Sequence, residues 1–270
     1  MPRGELNVRA ASSVPAQNPL YPTKRIEYSD TDMLRIEYLT SAEAVKHLIP
    51  DDFEIEDKPL VGVTAANWGF SQFGAYSELI TTVEVTYQGI KYDFGLELIL
   101  ENEAALFMGR EQLGCPKVIG RVVFDPTTTP RDPGFQLGHV ERPVSHKVIQ
   151  FGFRPESKIH GLQKMPVPAD QKRFLVLRIL PNLHNDKDPV VREYVAIQNI
   201  CTEGELWTGT GSINYAPTSR FLLTTQLPVL EYRESILLRH SAQYISTDFQ
   251  TFELPPKAGT TQTNGKVSGK

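Results

Sequence analysis

The chain has 270 residues, of which 40% are hydrophobic and 22% charged, and its formal net charge is −4. This size and composition suit one β-rich globular domain with a sizeable core. No basic block indicates a nucleic-acid surface, and no apolar run is long enough to span a membrane as a helix. Two cysteines are too few for a disulfide framework, and no signal-peptide core precedes the domain. We therefore expect a soluble, cytoplasmic protein.

The two ends of the chain differ in composition from its middle. Residues 1–23 are polar and lack periodicity, which predicts an N-terminal arm. Residues 255–270 contain one aliphatic residue beyond alanine, which predicts a disordered tail. The expected folded domain is therefore residues 24–254.

Within this domain we predict one clear helix and many strands. Thr40 and Glu43 have the spacing of a capping box, and the helix would end at Pro50. Gln88-Gly89 is typical of a hairpin turn. The predicted strands are rich in β-branched, aromatic and Leu residues and cover residues 33–38, 60–66, 82–87, 92–100, 104–108, 118–124, 147–153, 173–180, 192–200 and 204–214. This pattern predicts a mainly β (α+β) fold with a few short helices, built on an antiparallel barrel.

Several common motifs for cofactors and metals fail in this chain. There is no Walker sequence, and Gly209-Thr210-Gly211 lacks the third glycine of a dinucleotide fingerprint. His139 and Glu141 alternate onto one face of a strand, but two ligands do not make a metal site. We therefore predict neither a metal nor a cofactor.

The informative segment is GREQLGCPK at residues 109–117, which lies between two apolar runs. These neighbours would draw Lys117 into or beside the core, where desolvation disfavours the ammonium form. A neutral amine in an apolar pocket can attack a ketone and form an imine, which withdraws electrons from the adjacent carbon. Residue type alone leaves an alternative open, in which Lys117 extends from a strand end into solvent.

This segment resembles the active-site segment of the acetoacetate decarboxylase superfamily, in which Gly-Arg-Glu is followed by five residues ending in proline and then by a lysine. The resemblance covers roughly residues 33–250, and further matching segments occur in the family's order at residues 42–55, 74–78, 101–104, 181–182 and 207–209. It implies a cone-like antiparallel β-barrel with an internal pocket, usually assembled as a homo-oligomer.

The resemblance also implies roles for individual residues. Lys117 would form the Schiff base, and Glu78 would handle or orient a proton near the imine. The alternative for Glu78 is an ordinary glutamate on a surface strand. Arg110 and Glu111 are interpreted as a polar network that holds the turn before the lysine. The aromatic and Met residues that could line the pocket, or equally form ordinary core, are Trp68, Phe70, Phe73, Phe94 and Met108.

Three positions depart from the family pattern. Val118 replaces the second lysine of the family, whose enzymes are the well-known example of a lysine activated by a neighbouring ammonium, so desolvation must act here instead. Leu39 replaces an arginine after the first tyrosine, and Thr64 replaces a second pocket glutamate. Leu39 and Thr64 would both remove charge from the pocket. They argue against acetoacetate itself as the substrate and leave imine formation intact.

Three functions remain open at this point. The first is a Schiff-base decarboxylase, a lyase acting on a β-keto acid larger and more apolar than acetoacetate. The second is a Schiff-base aldolase or dehydratase acting on a ketone or a polyketide-like metabolite, and a place in secondary metabolism would fit either enzyme. The third is a non-enzymatic barrel that binds a lipophilic ligand. In each case the expected partner is a small molecule, and neither nucleic acid nor a membrane.

Overall fold

The computed structural model of the protein describes residues 1–7, 9, 15–21, 25–124, 134–166, 171–184, 189–216 and 227–254. These residues form a mainly β fold with a few short helices, which confirms the predicted fold class. The predicted tail at residues 255–270 lies outside the described residues, as does part of the predicted N-terminal arm. Within that arm, Tyr21 is buried and packs against the folded domain.

The elements follow one another with short connections. The strands are β1 (Glu27–Leu39), β2 (Leu60–Ser71), β3 (Tyr76–Tyr87), β4 (Ile90–Leu100), β5 (Lys117–Ile119), β6 (Arg121–Phe124), β7 (Gln136–Glu141), β8 (Lys147–Lys164), β9 (Phe174–Leu180), β10 (Val191–Ile197), β11 (Asn199–Tyr215), β12 (Glu231–Tyr232), β13 (Ser235–Ile245) and β14 (Gln250–Glu253). The helices are α1 (Ala42–Val45), continued by a 3-10 helix at Lys46–Leu48, and α2 (Glu103–Met108), continued by a π-helix at Gly109–Leu113.

The described strands form one curled sheet in the order β14-β10-β9-β4-β3-β2-β1-β13-β11-β8-β7-β6, with β12 beside β1 and β5 beside β4. Neighbours are antiparallel except for the parallel pairs β4–β5 and β4–β9. Only Gln198 separates β10 from β11, so the strands from β10 round to β11 surround a common space. Within the described ranges the outer edges, β14 and β6, do not pair, so the barrel is curled without a closing ladder.

Side chains alternate between the two sides of a strand. In β1 to β4 both sides are buried, each in its own hydrophobic cluster. One face carries Leu34, Val63 and Leu79 and packs against the strands β6 to β8. The other face carries Trp68 and Leu98 and packs against α2. This second face also lines the cavity described below.

The N-cap of the first helix lies one residue later than predicted. The Ser41 hydroxyl accepts the Ala44 N–H at 3.3 Å, so Ser41 and not Thr40 is the N-cap. The α-helical part then covers only Ala42–Val45.

The predicted strand at residues 104–108 is wrong, because this segment is the helix α2. The Asn102 side chain caps it by accepting the Ala105 N–H at 2.9 Å. Ala and Leu, strong helix formers, then favour the helix. By contrast, the predicted hairpin turn is confirmed, since Gln88 and Gly89 join β3 to β4 with φ values of 51° and 78°.

Candidate active site

The centre of the site is an ion pair between Lys117 and Glu78. The Nζ atom of Lys117 lies 2.9 Å from Oε1 of Glu78, and the two side chains are only 10% and 3% exposed. Lys117 begins β5, and Glu78 lies near the start of β3. The structure therefore brings together the two residues for which the sequence suggested chemistry.

The turn before Lys117 is fixed by the backbone. The Cys115 N–H donates to the Gly109 carbonyl at 2.8 Å, and the Lys117 N–H donates to the Cys115 carbonyl at 2.7 Å. Gly114 has a φ of 79°, and a Cβ there would lie 2.6 Å from the Cα of Arg178. The turn therefore requires glycine at this position for both its conformation and its packing.

The stem of Lys117 lies against the backbone of the π-helix. A Cβ added at Gly109 would stand 2.5 Å from Cε and 2.6 Å from Cδ of Lys117. Gly109 thus leaves the space through which the lysine reaches Glu78. Single turns of π-helix are frequent at functional sites, where they change the direction of a helix.

Aromatic side chains hold Glu78 from the other side. The indole N–H of Trp68 donates to Oε2 of Glu78 at 3.2 Å. The Tyr28 and Trp68 rings pack with centroids 4.1 Å apart, and Tyr76 packs on Trp68 with centroids 6.2 Å apart. Burial raises the pKa of both tyrosines above the usual range, so both hydroxyls stay protonated at neutral pH. Burial also raises the pKa of the neighbouring Cys115 thiol to about 12.

The pair opens into a cavity of about 350 Å³. Cross-strand pairing arranges its wall in rows: Glu78 stands opposite Ala66, while the next row contains Ile80, Thr64 and Arg35. The apolar part of the lining includes Met33, Ile80, Leu98, Met108 and Phe174. The reactive groups therefore share a chamber with an apolar wall.

A network of charges forms the opposite end of this cavity. Arg35 binds Glu37 through Nε at 2.7 Å and Asp93 through Nη2 at 3.0 Å. Lys172 lies 2.7 Å from Glu84 and 3.4 Å from Asp93. These side chains are partly exposed, whereas Lys117 and Glu78 are buried, so we describe the network as the rim of the cavity.

The sequence-based list of pocket residues is partly wrong. Thr64, Trp68 and Met108 line the cavity, but Leu39 does not. Leu39 lies at the far end of β1, where it pairs with Leu60. Arg35 lies on the same face of β1 and lines the cavity. The cavity therefore contains an arginine, which corrects the inference drawn from Leu39.

Phe94, Arg110 and Glu111 also lie outside the cavity lining. Phe94 points to the opposite face of β4 and packs on Phe53, with ring centroids 5.3 Å apart. Arg110 is exposed and donates from Nη1 to the Lys117 carbonyl at 2.7 Å. Glu111 accepts a hydrogen bond from the Tyr21 hydroxyl at 2.6 Å. Arg110 and Glu111 therefore contact the turn that carries Lys117 from outside the cavity.

Sequence reasoning missed Tyr28, Arg35, Asp93 and Lys172 as lining residues. The one available signal was the alternation along β1, which places Arg35 on the same face as Met33. Among the described residues no group of three or more His, Cys, Asp or Glu side chains could hold a metal ion. Within the same ranges, no helix has the length and apolar character needed to cross a membrane.

Comparison with protein families gives a match over nearly the whole chain. The model of the family described as "Acetoacetate decarboxylase (ADC)" matches residues 8–251. Decarboxylase DEC1 of Cochliobolus heterostrophus is 38% identical over 207 residues, covering 76% of this chain and 79% of that protein. Acetoacetate decarboxylase of Streptomyces nogalater is 27% identical over 234 residues, covering 85% and 90%.

Solved structures show the same fold. A structure of acetoacetate decarboxylase aligns with a TM-score of 0.74 at 21% identity, covering 91% of this chain and 96% of that one. The enduracididine biosynthesis enzyme MppR, complexed with the condensation product of pyruvate and imidazole 4-carboxaldehyde, aligns with a TM-score of 0.71 at 13% identity, covering 90% and 97%. At these identities the likeness concerns the fold alone.

Proposed function

The chain belongs to the acetoacetate decarboxylase family of lyases, and from this premise we propose that it decarboxylates a β-keto acid through an imine on Lys117. The observation that carries the proposal is the buried ion pair, with Nζ of Lys117 2.9 Å from the Glu78 carboxylate. A nucleophilic amine needs a base within hydrogen-bond reach, and Glu78 meets that requirement.

Imine formation begins with a proton transfer. Glu78 takes a proton from the Lys117 ammonium, and the free amine attacks the ketone carbon of the substrate. The resulting carbinolamine loses its hydroxyl as water, with protons supplied by Glu78, and leaves a protonated imine. The apolar wall around the pair excludes bulk water, which strengthens each electrostatic interaction in this sequence.

Loss of carbon dioxide follows from the charge of the imine. The electron pair of the bond between the α-carbon and the carboxylate moves into the iminium, carbon dioxide leaves, and an enamine remains. Glu78, which has taken up a proton from solvent, then donates it to the α-carbon and regenerates the protonated imine. Hydrolysis releases a ketone and restores Lys117, so the sequence needs no cofactor.

The size of the cavity supports a substrate larger and more apolar than acetoacetate. Its volume of about 350 Å³ lies within the ~300–1,000 Å³ typical of sites for drug-sized ligands. Apolar side chains such as Ile80 and Leu98 occupy the wall next to Lys117 and would stabilise an alkyl chain by about 25 cal/mol per Å² of apolar surface buried. Thr64 adds no charge beside them.

An aldolase or dehydratase would use the same imine. MppR shares the fold of this chain, and its structure contains a condensation product. For this reason the aldolase or dehydratase is the alternative that we test. Release of carbon dioxide distinguishes the two reactions, because aldol and dehydration chemistry release none. A barrel that only binds a ligand would form no covalent adduct at Lys117.

The test combines turnover with trapping. The protein is incubated with acetoacetate or with 3-oxododecanoic acid, carbon dioxide release is measured, and borohydride is added to reduce any imine. We expect faster release from the larger acid and an adduct on Lys117, located by peptide mass spectrometry. Lys117→Ala should abolish both, and Lys147→Ala, which changes an exposed lysine, should abolish neither. An adduct on another lysine, or turnover without any adduct, would overturn the proposal.

A further inference from the structure

The cavity offers a chain attached to Lys117 a path along the sheet. Behind the ion pair the rings of Tyr28, Trp68 and Tyr76 close the cavity, and these residues are 7%, 4% and 9% exposed. In the other direction the cavity continues past Ile80 to Arg35. Along this path, the end of the substrate that is remote from its keto group approaches the rim.

The register of the sheet gives the length of this path. Glu78 stands opposite Ala66, and Thr82 stands opposite Gly62, four residues further along β2 and β3. The Arg35 guanidinium lies over Gly62, where a Cβ would collide with it. At a rise of about 3.3 Å per residue, the guanidinium is about 13 Å from the row of Glu78.

Arg35 has hydrogen-bond donors to spare. Its Nε atom binds Glu37 and its Nη2 atom binds Asp93, whereas Nη1 makes no hydrogen bond within the described part of the chain. A guanidinium carries five N–H donors in a fixed plane, so two N–H groups remain on Nη1. Because Arg35 lines the cavity, these donors are available to a ligand in it.

The charges at the rim determine which ligand group fits. Arg35 already faces two carboxylates, and the contacts of the described residues join three cations to three anions in a network with no net charge. A second carboxylate on the substrate would add an unbalanced negative charge beside these anions, at a cost in desolvation. A ketone or hydroxyl oxygen accepts a hydrogen bond and adds no charge. The members of the network are Arg35, Lys91, Lys172, Glu37, Glu84 and Asp93.

We propose that the substrate is a β-keto acid whose chain carries a second, neutral oxygen group, which Arg35 binds at the rim. The inference rests on the proposed function and names its substrate class. A hydrogen bond of about 3 Å leaves roughly 10 Å for the chain, and an extended chain covers about 3.3–3.6 Å for every three bonds. The oxygen therefore lies about nine bonds from the reacting keto carbon.

Three acids of equal chain length test this inference on the wild-type protein. They are 3,11-dioxododecanoic acid, 3-oxododecanoic acid and 3-oxododecanedioic acid, which end in a methyl ketone, an alkyl group and a carboxylate. We expect kcat/KM for carbon dioxide release to be about tenfold higher for the dioxo acid than for the alkyl acid, because a hydrogen bond from a charged donor is lost with the alkyl chain. The diacid should be no better than the alkyl acid.

A pair of matched variants assigns the effect to Arg35. Arg35→Lys keeps the charge but lacks the planar guanidinium, whose Nη1 would bind the ligand while its other nitrogens bind Glu37 and Asp93. The ratio of kcat/KM for the dioxo acid to that for the alkyl acid should therefore fall from about ten towards one. Arg178→Lys is the control, since Arg178 also binds a carboxylate, Glu193, at 2.7 Å with similar exposure. It should keep the wild-type ratio.

The outcomes separate this inference from the proposed function. Equal rates for the dioxo and alkyl acids, with an adduct on Lys117 from both, would overturn the role of Arg35 and leave the decarboxylase standing. A preference for the diacid would overturn the choice of a neutral group. No carbon dioxide and no adduct from any of the acids would overturn both proposals. The comparison of acids on the wild-type protein stands even if Arg35→Lys does not fold.

Discussion

Nζ of Lys117 lies 2.9 Å from Oε1 of Glu78, although the two residues stand on strands that do not pair with each other. β4 lies between them, and its Leu98 pairs with Lys117 on one side and with Ile80 on the other. Glu78 is two residues along β3 from Ile80, so the lysine must lean along the sheet to reach it. The ion pair therefore depends on the register of three strands and on the space above Gly109.

Filling the space at Gly109 should remove activity. In Gly109→Ala the new Cβ would stand 2.5 Å from Cε of Lys117, and the amine would be displaced from Glu78. A misplacement of about 1 Å can cost roughly 100-fold in rate, so we expect kcat/KM to fall by at least that factor. Gly161→Ala is the control, because the nearest atom to a Cβ there is 4.0 Å away. Retention of full activity by Gly109→Ala would contradict this account of the lysine's path.

Replacing the carboxylate of Glu78 should affect proton transfer and leave the fold intact. Glu78→Gln keeps the size of the side chain but cannot take a proton from Lys117, so we expect kcat to fall by roughly 10²–10⁴. The control is Glu205→Gln, which changes a glutamate that likewise binds a lysine, Lys158, and a tryptophan indole, Trp207. Near-normal turnover by Glu78→Gln in steady-state assays would exclude the role proposed for Glu78.

The indole N–H of Trp68 should affect the rate of reaction by orienting the Glu78 carboxylate. Trp68→Phe keeps an aromatic ring but loses the hydrogen bond to Oε2, so the carboxylate is less well oriented. We expect kcat to fall about tenfold, the equivalent of one hydrogen bond to a charged group, with a smaller change in KM. Trp207→Phe, which removes the corresponding bond to Glu205, should leave kcat unchanged. A change confined to KM would indicate that Trp68 only shapes the cavity.

The buried tyrosines predict a loss of stability at alkaline pH. Burial raises the pKa of Tyr28 and Tyr76 in the folded protein, whereas an unfolded tyrosine ionises near pH 10. The folded state therefore keeps protons that the unfolded state has lost, and the free energy of unfolding falls as pH rises above about 10. The slope is about 1.4 kcal/mol per pH unit for each such tyrosine. Urea unfolding at pH 8 to 11 measures it, and Tyr28→Phe should have a shallower slope. A free energy of unfolding that stays constant up to pH 11 would refute the prediction.

The sequence was sufficient for the general architecture and for naming the two residues that the structure joins in an ion pair. β-branched and aromatic runs separated by Gly, Pro and Asn marked most of the strands, because these residues fit a pleated surface. Lys117 and Glu78 were found through the order of short segments that resemble one family, and nothing in their local sequences alone would have paired them. The contact between them is set by the neighbouring strands, which a linear pattern does not show.

The errors in the cavity lining have identifiable physical causes. Leu39 was chosen because it stands where the family has an arginine, whereas the lining contains Arg35. A likeness of short segments does not show how far along β1 the cavity extends. Phe94 and Leu98 have the same parity, yet a bulge in the β3–β4 ladder near Thr81 turns Phe94 to the other face. The apolar run at residues 104–108 was too short to distinguish a strand from a helix by periodicity.

The wall of the cavity has a seam at Gln198. There the chain passes from β10 directly into β11, and within the described ranges these two strands share no ladder. Along a seam of this kind, residues can be inserted without breaking a strand pair on either side. A relative with a longer link at this point would have a wider cavity around the same lysine and glutamate. Relatives could then accept ligands of different width and keep the same chemistry.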